Sequence, residues 1–207
     1  MRRRKLTRLF FDRPTLIVAR ELLGKFLVRA YRGKKITSMI TEVEAYDGFR
    51  DRGSHARRGK TSRNAPMFGG AGRWYVYFTY GVHWMLNIVT RERGYPAAIL
   101  IRAGVLTDQN GEPRPGRRAA FLSGPGRLTK FFKIDGKLNG VAADRKSGLW
   151  IEDQGWKSKG GYVYPPSRKA SEDDFQQKLK IKKGPRVGID YAGPYWARRH
   201  WRFWIKK

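Results

Sequence analysis

The sequence predicts a mixed α+β domain built on a largely antiparallel sheet. Three observations carry this: strand-like runs outnumber helical ones, short turns join several of them, and no regular βαβ alternation appears. The chain has 207 residues, the size of one domain. Hydrophobic residues make up 40% and aromatic residues 14%, enough for a real core and too many for a disordered chain.

Each element has its own signal. Pro14 can open a helix, Leu16, Ala19, Leu22 and Leu23 recur at helical spacing, and Gly24 can close it. Phe26 to Ala30 reads as a strand, Arg32-Gly33-Lys34 as a turn, and Ile36 to Tyr46 as the partner strand. Residues 47–73, rich in Gly, Arg, Ser and Asn, read as a long functional loop. Tyr75 to Thr79 and Trp84 to Val89 form a hairpin around Gly81, and Ala97 to Ala103 is a further apolar strand. Ser123-Gly124-Pro125-Gly126 leads into a short helix, Arg127 to Phe132. Leu149 to Ile151, Arg186 to Ile189 and Trp201 to Ile205 are read as short strands, and residues 154–180 as a polar, Lys-rich surface excursion.

Composition bounds the function. Lys and Arg number 45 against 17 Asp and Glu, a net charge of +28. Such a surface repels itself and makes sense beside a polyanion, with nucleic acid ahead of an acidic membrane. No apolar run is long enough to span a bilayer. Met1 to Lys5 carry the charge of a secretory leader, but Arg8 and Asp12 break the apolar run that follows. The absence of Cys removes disulfides, thiolate metal sites and cysteine nucleophiles. His55, His83 and His200 are too far apart in sequence to suggest a metal site.

Within this frame the segment Thr41 to Tyr46 is the most informative. Strand periodicity puts Glu42, Glu44 and Tyr46 on one face, the two carboxylates roughly 7 Å apart. Spacing alone favours the solvated face of an edge strand. The scarcity of acids and the neighbouring ring favour an acid/base site acting on a flat base. The aromatic run Trp74 to Val89 is mostly core material, with two exceptions. Tyr80, at the hairpin tip, can wedge between bases. Asn87, in an apolar strand, is either a member of a structural network or a reader of a base edge. Arg57 and Arg63 in the basic loop, and Gly126, Arg127 and Lys130 at the short helix, suit contacts to a nucleic-acid backbone. Each of these is equally compatible with a solvated basic face.

Several blocks in one order identify a family. They are Ala19 to Gly24, Thr41 to Tyr46, Ser54-His55-Ala56, Thr61 to Asn64 with Met67-Phe68, Tyr75 to Ile88, Ile101-Arg102-Ala103, Gly124-Pro125-Gly126 and Pro185 to Ile189. From about Leu16 to Ile205 the chain resembles the alkyladenine (3-methyladenine) DNA glycosylases. The resemblance implies a single compact domain with a curved antiparallel sheet, a protruding hairpin and surrounding helices. It implies a monomer that flips damaged purines (3-methyladenine, 7-methylguanine, hypoxanthine) out of duplex DNA and releases them hydrolytically, without metal, cofactor or membrane. It also implies residence with the DNA, in the cytoplasm and nucleoid of a bacterium or the nucleus of a eukaryote.

By the same resemblance, Glu44 is the general base and Arg102 the active-site arginine beside it. Tyr46, His55 and Tyr77 line the base pocket, Tyr80 fills the emptied stack, and Asn87 excludes the 2-amino group of guanine. His83 stands where some members have Tyr, and Gly53 precedes the Ser-His pair. A non-catalytic basic nucleic-acid-binding protein explains the charge but not carboxylates clustered with aromatics. A sugar hydrolase explains the paired acids but not +28.

Overall fold

The computed structural model describes residues 4–108, 121–154 and 180–205. These form a ten-stranded antiparallel sheet: β1 (Arg4–Lys5), β2 (Phe26–Tyr31), β3 (Lys34–Asp47), β4 (Trp74–Thr79), β5 (His83–Val89), β6 (Ala97–Leu106), β7 (Phe121–Ser123), β8 (Leu149–Asp153), β9 (Ile181–Gly184) and β10 (Arg202–Ile205). The main path runs β1-β8-β2-β3-β6-β5-β4. Among the described residues four short helices surround it: α1 (Arg8–Phe11), α2 (Thr15–Leu22), α3 (Pro125–Phe131) and α4 (Pro194–Ala197).

The long strand β3 organises the rest. Its first half pairs with β2, Ser38 to Asp47 with β6, and Glu42 to Glu44 also with β10. The reading of Thr41 to Tyr46 as an edge face is therefore overturned. The strand is interior, because β10 arrives from the far end of the chain to cover its free edge. The β3–β6 register shifts on both sides of Glu42, leaving Thr41 and Arg102 without ladder partners. Such an irregularity bends the sheet and re-aims a side chain.

Alternation then gives the sheet two functional faces. Val43, Ala45, Ile99, Ile101, Leu86, Ile88, Trp74 and Val76 join one buried core with α2 residues Val18, Ala19 and Leu22. Successive side chains point to opposite faces, so Glu44, Tyr46, Leu100, Arg102, Asn87, Met85, Tyr75 and Tyr77 share the other side. The helix predicted after Pro14 is α2, and Gly24 follows it at φ 82°, the left-handed cap that glycine supplies.

One further expectation needs correction. Arg186 to Ile189 is not a strand; the strand is Ile181–Gly184, and Pro185 ends it. The lysines of that segment are carried by pairing with β10 rather than by an apolar pattern. Most of the proposed excursion at 154–180 lies outside the described residues, but Gln154 is buried and donates to Glu152 at 2.6 Å. The loop at 47–73 is more regular than its composition suggests, with 3-10 turns at His55–Arg58 and Ala65–Phe68. Asn64 closes it, donating to the carbonyls of His55 and Gly59 at 2.9 Å each. Among the described residues no helix is long and apolar enough to cross a membrane.

Candidate active site

A cavity of about 340 Å³ opens on the second face of the sheet, and Glu44, Tyr46, His55, Tyr77, Tyr80, Asn87 and Arg102 all border it. These seven predicted site residues come from β3, the loop after it, β4, the hairpin tip, β5 and β6. Antiparallel pairing brings them together: Glu44 stands opposite Leu100, Leu100 opposite Asn87, and Asn87 opposite Tyr75.

Glu44 is fully buried. Its Oε1 accepts the Val187 N–H at 2.8 Å and lies 3.2 Å from Arg102 Nη1, while Oε2 accepts the Tyr46 hydroxyl at 2.9 Å. A carboxylate has about four lone-pair positions, so Oε2 keeps room for one more donor. Burial pushes the Glu44 pKa above its ordinary value, against the pull of Arg102, the Val187 amide, the Tyr46 hydroxyl and Arg186. A raised pKa makes a carboxylate a stronger base once ionised. Arg102 also donates to Glu42 at 2.9 Å, so one guanidinium spans both carboxylates of the strand face.

The aromatic wall is neutral. Burial raises the Tyr46 pKa well above normal, with Glu44 adding to the shift, and raises that of Tyr77 to about 12. His55 is open to the cavity mouth, but its ring stands 4.6 Å from Tyr77 and its Nδ1 lies 2.9 Å from the Tyr75 hydroxyl. Burial within the wall and then the Arg63 charge lower the His55 pKa to about 4. A neutral imidazole has one donor and one acceptor nitrogen. Nε2 is left without a partner in that contact, a donor if Tyr75 donates to Nδ1 and an acceptor if Nδ1 donates to Tyr75.

At the rim Tyr80 is 86% exposed and adopts φ 52°, followed by Gly81 at φ 66°. The Val82 N–H donates to Thr79 O at 3.2 Å, closing the turn. A bulky residue in the left-handed region is strained, and such strain concentrates at functional positions. Asn87 is buried, its Nδ2 donating to Tyr75 O at 3.0 Å.

The backbone candidates are more scattered. Arg63 lies over Tyr77 at 5.2 Å and donates to Phe78 O at 3.1 Å, which places it at the cavity rim. Arg57 lies 5.3 Å over Tyr191. Arg127 and Lys130 are exposed on α3, and the Thr129 hydroxyl ties that helix to Trp84 O at 2.8 Å. At Gly126 a Cβ would come within 2.8 Å of the His83 ring, so glycine there makes room for His83.

Several residues escaped the sequence reading. Tyr75, counted as core, is buried yet borders the cavity, as do Met67, Met85, Val187 and Tyr191. Behind Tyr46 lies a fully buried ion pair, Arg186 Nη1 and Nη2 on the two oxygens of Asp51 at 2.6 and 2.8 Å. Arg186 also covers the Tyr46 ring at 4.7 Å and donates to Ala45 O at 3.0 Å. Gly53 leaves space beside it, since a Cβ there would meet Arg186 Nη2 at 2.8 Å and Ile189 Cδ1 at 3.1 Å. Among the described residues no group of three His, Asp or Glu could hold a metal ion.

A buried carboxylate, gripped by an arginine at the foot of an aromatic slot, is an enzyme's arrangement on a protein whose charge suits a polyanion. Residues 9–207 match the profile of methylpurine-DNA glycosylase (MPG). A Methanocella arvoryzae protein named "Putative 3-methyladenine DNA glycosylase" is 41% identical, covering 97% of this chain and 92% of its own. Proteins of the same name from Streptomyces avermitilis and Desulfitobacterium hafniense are 38% and 37% identical. They cover 98% of this chain in each case, and 88% and 96% of their own. The chain belongs to the methylpurine-DNA glycosylase family and is a DNA-repair glycosylase.

Proposed function

We propose that this glycosylase flips alkylated or deaminated purines, including 3-methyladenine, 7-methylguanine and hypoxanthine, from duplex DNA into the Glu44 cavity. There it hydrolyses the N-glycosidic bond with water as the nucleophile. The observation that carries this reading is the spare capacity of Glu44 Oε2 in a slot walled by neutral rings. A water on that oxygen gives its proton to Glu44 as it attacks the sugar carbon, and the carboxylate stabilises the oxocarbenium-like centre. A cationic alkylpurine is already a good leaving group and is attracted to aromatic faces. Neutral hypoxanthine additionally needs a proton on the departing base.

Tyr46, His55 and Tyr77 hold the flipped ring, Arg102 orients Glu44 and the target backbone, and Tyr80 occupies the gap in the stack. Asn87 filters the purine edge, while Arg57, Arg63, Gly126, Arg127 and Lys130 meet phosphates. The protein acts as a monomer, with all 207 residues serving one glycosylase domain. The test is excision from a lesion panel in duplex DNA, scored for free base and for strand integrity before alkali. Release of methylated purine with an intact strand supports a monofunctional glycosylase. Strand cleavage without alkali overturns the water mechanism, and no release from any lesion overturns the substrate assignment.

A further inference from the structure

The Glu44 cavity is the first of three that meet at Tyr191. A cleft of about 420 Å³ carries Tyr80, Arg63 and Tyr191, and from Tyr191 a groove of about 900 Å³ runs to α4. Arg50, Arg52, Arg57 and Arg58 line this groove, all exposed, and no acid lines it. Arg57 reaches back 3.5 Å to the Arg52 carbonyl; the other three guanidiniums have no partner among the described residues.

The same groove displays aromatic rings. Phe49, Tyr191 and Tyr195 are 56%, 58% and 64% exposed. Exposed rings gathered along one groove, rather than scattered singly, mark an interaction surface. The Tyr195 ring is also flanked by neighbours that hold it in place. It meets Trp196 edge-on at 5.2 Å, and Arg199, bonded to the Tyr195 hydroxyl, lies 4.7 to 5.0 Å from the rings of Tyr195, Trp196 and Trp201.

Charge and rings together select the occupant. Duplex DNA offers phosphates to the arginines but keeps its base faces stacked inside, leaving the rings unused. An apolar peptide would leave the arginines unused. An unpaired strand offers both phosphates and base faces, and proteins that hold single strands combine a basic groove with stacking rings. We propose that this groove binds single-stranded DNA continuous with the lesion-bearing strand, so that the substrate class includes lesions lying in or beside unpaired DNA. This rests on the reading of the Glu44 cavity as the lesion site.

The test uses the full chain and two labelled probes of equal length without lesions, an oligothymidylate single strand and a blunt duplex, followed by fluorescence anisotropy. Tyr195→Ala is expected to weaken single-strand binding by about five- to a hundredfold, the range for losing one stacking ring, and to leave duplex binding within twofold. Tyr195→Phe should retain wild-type single-strand affinity. Arg50→Ala with Arg52→Ala provides a second variant that leaves the rings in place, and it should also weaken the single-strand complex. Thermal unfolding confirms that each variant is folded. In excision assays the wild type should gain on Tyr195→Ala where the lesion abuts a 5′ or a 3′ overhang, and the two should match on full duplex. Equal loss on both probes, or no loss from Tyr195→Ala, overturns the proposal. Failure of the wild type to release any base would instead strike the lesion-site reading, since the anisotropy result does not depend on catalysis.

Discussion

The backbone N–H of Val187 donates to Oε1 of Glu44 at 2.8 Å, across 143 residues of sequence. It engages the oxygen that Arg102 also reaches, so the free capacity of the carboxylate lies on Oε2. Val187 follows Arg186, whose pairing with Asp51 anchors this part of the chain behind Tyr46. Glu44, the proposed base, is thus held by a chain segment fixed through a buried ion pair.

Removing one partner of that pair should be costly. A buried charge left alone costs about 3–5 kcal/mol, so Asp51→Asn should lower Tm sharply. Assayed below its melting range, it should also lose kcat more than KM, because Val187 is no longer held against Glu44. An unchanged kcat in folded Asp51→Asn would make the pair purely structural.

Glu44→Gln retains the shape and removes the base. General base catalysis contributes typically 10²- to 10⁴-fold, so single-turnover base release should fall by about that factor while binding to lesion DNA persists. The wild-type pH profile has a defined sign. Glu44 acts when ionised and its pKa lies above 4.5, so kcat/KM should fall as pH drops through that raised value. His55, neutral down to about pH 4, should add no step near neutrality. A near wild-type rate in Glu44→Gln would move the base elsewhere, with Glu42 next to be tested.

Much of this site was legible in the sequence because strands have a period of two. That period put Glu42, Glu44 and Tyr46 on one face, and Gly81 marked the turn beside Tyr80. The family blocks assigned the roles. Burial of Glu44 was not legible, since it depends on β10, which arrives about 160 residues later. Arg186 looked like the start of a strand because Val187 and Ile189 alternate after it. Its pairing with Asp51, 135 residues away, leaves no local pattern. Tyr75 was read as core because burial and cavity lining coincide when a ring forms the wall.

Tyr80 should separate stability from function. Its left-handed backbone costs roughly 1–2 kcal/mol, which glycine does not pay. Tyr80→Gly should therefore raise thermal stability slightly while weakening lesion capture, measured with a fluorescent base analogue. The loss should be largest for well-paired lesions, where unstacking costs most. Unchanged flipping would remove the wedge assignment.

Salt should weaken binding to lesion duplex steeply. Each neutralised phosphate contributes about −0.9 to the slope of log affinity against log salt. Arg127→Ala with Lys130→Ala should make that slope shallower by up to about 2 if both meet phosphates. A wild-type slope in the double variant would place these side chains off the DNA path.

Asn87 tests specificity apart from catalysis. Its Nδ2 is committed to Tyr75 O at 3.0 Å, so the side chain cannot swing away from a purine that enters too deeply. Adenine and hypoxanthine carry hydrogen at C2, whereas guanine carries an amine there, and on the proposed reading the pinned amide meets that amine as a steric block, which 7-methylguanine, with the same amine, overcomes because its cationic base leaves readily. Asn87→Ala removes both block and pin. The freed Tyr75 carbonyl should cost about 1–3 kcal/mol of stability, visible as a lower Tm. The shortened side chain should meanwhile raise release of normal guanine from undamaged DNA by roughly five- to a hundredfold, the kinetic equivalent of the same energy range, with hypoxanthine still processed. Release of undamaged guanine and thermal unfolding, measured on the same preparation, separate the two effects. If Tm falls, guanine stays untouched and excision of every lesion drops in parallel, Asn87 serves the strand pairing alone and the filter lies elsewhere along the cavity wall.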